Sequence, residues 1–392
     1  MYQKKEDFMK RIALLDILRG FAIIGTLGTN IWIFAYLGDL NLVFGNALEP
    51  WWSSGDRLMQ TIMLILVNGK FLGMLTLLFG AGMELKRQKA AREGYAWPGV
   101  YIWSCVLLLL DGLLHYIFVM EYDVLMSYAI TGMIVSLIIH RSRRFMLTIM
   151  AIAGSIHVIG VTGITALLAF ESGSSFNGMD TITQLYASGT WWEQVMFRLN
   201  NFVFFRAESI AIIPLNVFLF LLGALLMRTG VFSNDDSGRH KRRKLMIVGL
   251  AAGIPLNLLL LVPGGIMDIW VRYISAPVLT LGYMGVIAYG VEKGVLPTLF
   301  KRFGEIGKMA LSCYIVQNII ASVLFYGWGI GLGGRPSSLF ILLMWFGICL
   351  LLMLFSHLWL RKYSLGPVEW LWRKLSISPS TRARDTSQNT SV

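Results

Sequence analysis

The chain reads as an all-α, polytopic integral membrane protein of about ten transmembrane helices, with both termini cytoplasmic. Three observations predict this. The 392 residues are 56% hydrophobic and only 14% charged, more apolar surface than a soluble domain of this size can hide. Apolar stretches of roughly 20 residues recur, each long enough to cross about 30 Å of hydrocarbon. The basic residues alternate with them: with the N-terminus placed inside, all but seven of the 34 Lys and Arg residues fall in cytoplasmic segments, as the positive-inside rule requires. The seven are Arg57, Arg198, Arg206 and Arg335 on the outer side, and Arg19, Lys70 and Arg272 in spans or at their ends.

The predicted spans are 12–36, 58–84, 97–120, 123–140, 145–170, 207–228, 245–263, 269–292, 308–329 and 337–360. The second contains "NGK" at 68–70, a candidate break of the kind tolerated where protein or a cavity covers the backbone. The first lacks a small-residue cleavage site and is expected to stay as an anchor. In the long outer segment 171–206, "ESGSSFNGMD" reads as loop and "WWEQVMFRLNNFVFF" as an interfacial amphipathic helix. Residues 1–378 form one transmembrane domain, and 379–392 a polar tail expected to be disordered. Topology accounts for the net charge of +12, so no nucleic-acid partner is implied. There is no P-loop and no zinc-like spacing. Cys105, Cys313 and Cys349 fall in apolar runs and read as small hydrophobes rather than metal ligands or disulfides.

Polar residues at membrane depth are the candidates for chemistry. Arg19 lies in the inner half of span one and Asn30 in the outer half. Eleven residues turn a helix through about 1100° and advance it about 16.5 Å, so the two share nearly one face. Asp16 can pair with Arg19 at i, i+3; a satisfied structural pair is the competing reading. In span three, Asp111 and His115 are one turn apart, so the carboxylate can orient the imidazole for general-base work. Asp123 follows at the outer turn, where capping span four is its bland alternative. Lys70, if its span is continuous, needs a carboxylate or a cavity. Glu208 can join the outer cluster, and Asp268 and Arg272 suit a surface pair at i, i+4. His157 reads as helix glue, and small residues such as Gly80 as sites of close helix approach.

Several stretches carry a resemblance. "LLDILRGFAIIGTLGTN" (14–30), "FLGMLTLLFGAGM" (71–83), "LLDGLLHYIFVMEYDVLMSYAITG" (109–132), "LFLLGALLMRTGVF" (219–232), "GKMALSCYIVQNII" (307–320) and "LGPVEWLWRKLS" (365–376) stand in the order seen in the bacterial YeiB family of membrane proteins. The chain resembles that family over nearly its whole length. The family is in turn distantly similar to the transmembrane acyltransferases, including the heparan-α-glucosaminide N-acetyltransferase. That likeness implies about ten helices in a bacterial cytoplasmic membrane, moving an acyl group from cytoplasmic acyl-CoA to an acceptor outside. By the same likeness Arg19, with Lys70, would bind CoA; His115, Asn30, Asp111 and Asp123 would serve catalysis. The sugar-O-acetylating relatives carry an Arg and, after ten residues, a His in span one; here Asn30 stands in place of the His, and no His occurs in residues 31–114.

Membrane lipid is an expected partner, the acceptor being an unidentified small molecule or glycan. The aromatic outer stretches are compatible with a homodimer. A transporter of a small molecule or lipid precursor through the same bundle is the alternative function, because intramembrane charges also line transport pathways.

Overall fold

Helix α1 (Tyr2–Ala35) carries the first predicted span and becomes the axis of the bundle: 83% of its most apolar window is buried inside the protein. The computed structural model describes residues 2–43, 50–170 and 178–375. Of the predicted loop 171–180, residues 171–177 lie outside these, as does the predicted tail 379–392, while Met179 and Asp180 already belong to a helix. The short α2 (Leu40–Val43) follows α1, and the second span is built from α3 (Gly55–Val67) and α4 (Lys70–Glu93). Next come α5 (Gly99–Phe118), α6 (Leu125–Ile138) and α7 (Arg143–Phe170). Helices α8 (Met179–Ser188), α9 (Trp191–Asn200) and α10 (Phe202–Ala211) lead into α11 (Ile213–Arg228). Helix α12 (Asp236–Asn257) ends in a 3-10 turn (Leu258–Leu261). Helix α13 (Asp268–Trp270) runs through a π-helical turn (Val271–Ser275) into α14 (Ala276–Glu292). Helices α15 (Pro297–Lys308), α16 (Ala310–Phe325), α17 (Ser338–Leu360) and α18 (Pro367–Leu375) complete the chain. The described residues contain no strand.

Among the described residues, seven helical segments are long and apolar enough to cross a membrane, and counting each of two bent pairs as one span raises this to nine. The pairs are α10–α11, bent by 43°, and α15–α16, bent by 91°. Helix α6, with 14 residues, is about 21 Å long and falls short of a full hydrocarbon core. Ten predicted spans therefore become seven clear ones, two bent pairs and one short helix. Apolar side chains on α7, α12 and α17 face outward: only 28%, 22% and 28% of their most apolar windows are buried. Hydrocarbon-facing helices at the rim around a buried α1 are what a bilayer protein needs and a soluble one avoids.

The break predicted at "NGK" is present. Gly69 takes the left-handed conformation (φ 77°) between α3 and α4, where a side chain would be strained. Lys70 finds no carboxylate within ion-pair distance among the described residues. Its Nζ instead donates to the Leu64 carbonyl at 3.4 Å, in the last turn of α3. Helix pairs meet where side chains are small. At the α4–α11 crossing, a Cβ on Gly223 would sit 2.0 Å from the Leu77 carbonyl oxygen, and one on Gly80 2.0 Å from that of Phe220. Gly223→Ala should therefore destabilise the fold by about 1–3 kcal/mol through overpacking. A lowered melting temperature in detergent is expected; an unchanged one would contradict the crossing.

Candidate functional site

An open pocket, about 660 Å³ with the adjoining open solvent included, lies where the ends and breaks of several helices converge. Its wall includes Asn30 of α1, Asn68 at the α3–α4 break, Asp123 of the α5–α6 loop, Glu208 of α10, Arg272 of the π turn and Tyr314 of α16. Asn30 and Asp123, expected from sequence to act together, thus share one cavity. Glu208 joins them, as expected.

His115 stands behind the pocket wall rather than in it. It is 3% exposed. Its Nδ1 lies 3.0 Å from Asp123 Oδ1, off the line of a straight hydrogen bond, so the contact is chiefly electrostatic. Its Nε2 is 3.1 Å from Asn318 Nδ2. With the Asn318 amide donating to Nε2, the ring proton sits on Nδ1, beside the carboxylate but not aimed at it. Tyr314 stacks obliquely on the imidazole, ring centroids 5.1 Å apart, and its hydroxyl donates to Asp123 Oδ1 at 3.4 Å. Asp123 Oδ2 accepts from the Met126 amide at 3.2 Å, so the expected capping of α6 is also present. Asp123 is both a cap and a wall of the pocket.

Asp111 does not orient His115, contrary to expectation. Although one turn away on α5, its carboxylate accepts from the Trp372 indole of α18, and the carboxylate beside Nδ1 is that of Asp123. Arg19 pairs with Asp16 at 2.7 Å, as predicted, but lies away from the pocket. Between Arg19 and Asn30, α1 is packed: Phe21 stacks on Phe303 with centroids 3.7 Å apart, a Cβ on Gly25 would meet the Phe71 ring at 2.0 Å, and Leu27 is fully buried. Lys70 also stands outside the pocket lining. Asp268 and Arg272 do not form the expected surface pair: the π turn that begins at 271 breaks the i, i+4 register, and Arg272 instead pairs with Glu208 at 3.2 Å. His157 does bridge helices, its Nε2 lying 3.1 Å from the Tyr273 carbonyl.

The loop that carries Asp123 is held by two buried arginines that sequence reading counted only as outer-side charges. Arg198 donates to the carbonyls of Ile117 at 3.0 Å and Val119 at 3.4 Å, satisfying orphan groups at the end of α5 where a cation also suits the helix dipole. Arg206 donates to the Asp123 carbonyl at 3.0 Å and to that of Glu121, and its guanidinium lies 4.4 Å from the centre of the Tyr116 ring. Their helices are locally specified. The Thr190 hydroxyl accepts from the Glu193 amide at 3.2 Å while Glu193 accepts from Thr190 N at 2.7 Å, a capping box that starts α9. Glu121 is fully buried and accepts from the Tyr186 hydroxyl at 2.7 Å. Burial, with Glu121 beside them, pushes the Tyr122, Tyr186 and Tyr326 phenols well above the usual tyrosine range.

The family described as "Protein of unknown function (DUF418)" matches residues 226–378. The chain is 28% identical to the uncharacterized protein YxaH of Bacillus subtilis, over 93% of this chain and 94% of that one. It is 29% identical to the uncharacterized protein YeiB of Escherichia coli, over 94% of this chain and 97% of that one. An uncharacterized 39.9 kDa protein of Bacillus acidopullulyticus is 23% identical over 94% of each. No solved structure matches. The resemblance to YeiB is borne out, and these relatives' names carry no activity.

The buried phenols set an alkaline limit. Burial raises Tyr36 to about 12. Above about pH 10 tyrosines ionise in the unfolded chain but stay protonated in the folded one, so the unfolded state holds fewer protons and stability falls as pH rises. The loss should begin near pH 10 and continue to about 12 or beyond. Absorbance titration of the folded protein should show a class of tyrosines that ionises only on unfolding; ordinary titration of every tyrosine near pH 10 would contradict their burial.

Proposed function

We propose that the pocket is the acceptor side of an acyltransferase-like membrane protein. The observation that carries this is that Asn30 and Asp123 line one cavity, with His115 Nδ1 3.0 Å from the buried Asp123 carboxylate. The His115 Nδ1–H would hold Asp123 ionised until a bound hydroxyl or amine passes its proton to that carboxylate and bonds the acyl carbon; the proton then goes to the donor's leaving group as the acyl–donor bond breaks. The Asn30 amide would donate to the acyl carbonyl oxygen as negative charge develops on it. Asn68 and Tyr314 would orient the acceptor. The inverted order, carboxylate forward and imidazole behind, suits a chain whose first span has Asn in place of His.

Acyl-CoA is the donor that the superfamily likeness suggests, but the residues expected to hold it do not form a common site. Arg19 is bound to Asp16 and Lys70 to the Leu64 carbonyl, so no step is assigned to CoA. In this reading the basic connections lie in the cytoplasm, both termini are inside, α6 and the bent pairs complete ten spans, and the pocket opens toward the outer side of a bacterial plasma membrane.

Transport of a small molecule or lipid precursor is the second reading. The packed layer between Arg19 and Asn30 favours it, since an outward pocket closed from the other side is one state of alternating access. Proteoliposomes decide between the two. Acyl transfer predicts acyl-CoA turnover that falls about 100-fold or more in Asp123→Asn, the range for loss of a general base. Solute flux without acyl turnover, in folded protein that binds neither CoA nor acyl-CoA, would overturn it in favour of transport.

A further inference from the structure

The motif "GPVEWLWR" plays no part in the pocket, yet α18 reaches the two helices that carry the His115 environment. Helix α16 starts at the 91° bend after α15, so its first amides cannot be satisfied by a preceding helical turn. Glu369 supplies what is missing. Its Oε1 accepts from Leu311 N at 2.8 Å and Ser312 N at 3.1 Å, and its Oε2 accepts from the Ser312 hydroxyl. That hydroxyl in turn accepts from Val368 N at 3.1 Å, closing a ring between the two helix starts. A carboxylate at this end of α16 also suits the helix dipole.

The residues around Glu369 make this contact feasible. A Cβ on Gly366 would lie 2.2 Å from Glu369 Oε2 and 2.7 Å from Ser312 Oγ, so a side chain there would push the carboxylate and the hydroxyl out of this arrangement. Pro367 occupies the first position of α18, where its missing N–H costs nothing. One turn beyond Glu369, the Trp372 indole donates to Asp111 of α5, and the Trp103 indole of α5 donates back to the Leu375 carbonyl at 2.9 Å. No residue of α18 is fully buried. The helix is therefore fastened by these polar contacts more than by packing.

Both fastened helices lead to the same place. Ser312 lies half a turn before Tyr314 and under two turns before Asn318, the α16 residues that touch Asp123 and His115. Asp111 is one turn before His115 on α5. We infer that α18 is a positioning clasp for the Asp123–His115 pair, with Glu369 fixing the start of α16 and Trp372 fixing α5. Glu369 and Trp372 are positioning residues, since neither reaches the pocket. The inference rests on the pair being the working part of the site.

The test is a histidine-selective NMR spectrum of the full chain in detergent, with the His115 imidazole assigned by His115→Gln. Glu369→Ala should move the His115 signal by more than its linewidth. Glu369→Gln, whose amide oxygen still accepts from Leu311 N, should bring it part of the way back. Trp372→Phe, which keeps an aromatic ring but removes the donor, should also move it. Ser337→Ala, which removes the cap of α17, should lower the melting temperature and leave the His115 signal in place; this separates positioning from general loss of stability. Where Glu369→Ala yields no folded protein, Trp372→Phe and Glu369→Gln carry the test. A His115 signal unmoved in the folded variants would overturn the clasp. Failure of the pocket reading is a separate outcome: turnover unaffected by Asp123→Asn would remove the function while leaving a displaced His115 signal as evidence of the clasp.

Discussion

A carboxylate buried at the end of a helical bundle needs partners from several directions; that of Asp123 takes them from three helices, and a fourth holds its main chain. It has no exposed surface, and leaving such a group unpaired would cost several kcal/mol. Helix α5 brings His115, α6 brings the Met126 amide, α16 brings the Tyr314 hydroxyl, and α10 brings Arg206 to the Asp123 carbonyl. Each contact constrains the height and rotation of the helix that supplies it.

Three of the helix breaks share one location. Gly69 at the α3–α4 break, Ile212 at the α10–α11 bend and Arg272 in the π turn all line the pocket. A continuous helix satisfies its own backbone and offers a membrane cavity only side chains. A broken one turns polar main-chain groups toward the cavity, which is tolerable at membrane depth only where something polar receives them. Lys70 shows the local economy of this: its ammonium bonds a carbonyl in the last turn before the break. The same constraint operates at the start of α16, where a carboxylate from α18 meets the orphan amides.

The sequence made the helical class, the second-span break and the Asp16–Arg19 pair legible, because hydropathy, glycine and i, i+3 spacing are local signals. It also brought Asn30, Asp123 and Glu208 to one end of the bundle, since alternating spans fix which residues share a depth. It misassigned the partner of His115. Spacing along α5 offered Asp111, but the loop folds Asp123 back onto the ring, and Asp111 is engaged by a helix 261 residues away in sequence. Partners across such separations leave no periodic trace. Arg198 and Arg206 were read as outer charges because their only signal is burial, which the chain order does not reveal. The π turn beyond Asp268 likewise has no local signature, so its i, i+4 pair with Arg272 was expected and is not made.

Asp123, at the pocket wall, is coupled to His115. Nitrogen-15 NMR of labelled histidine tests it most directly. The expected result is a His115 proton on Nδ1, an Nε2 that accepts from Asn318, and a clear change in both nitrogen shifts in Asp123→Asn. A His115 protonated only on Nε2, or nitrogen shifts indifferent to Asp123→Asn, would contradict it.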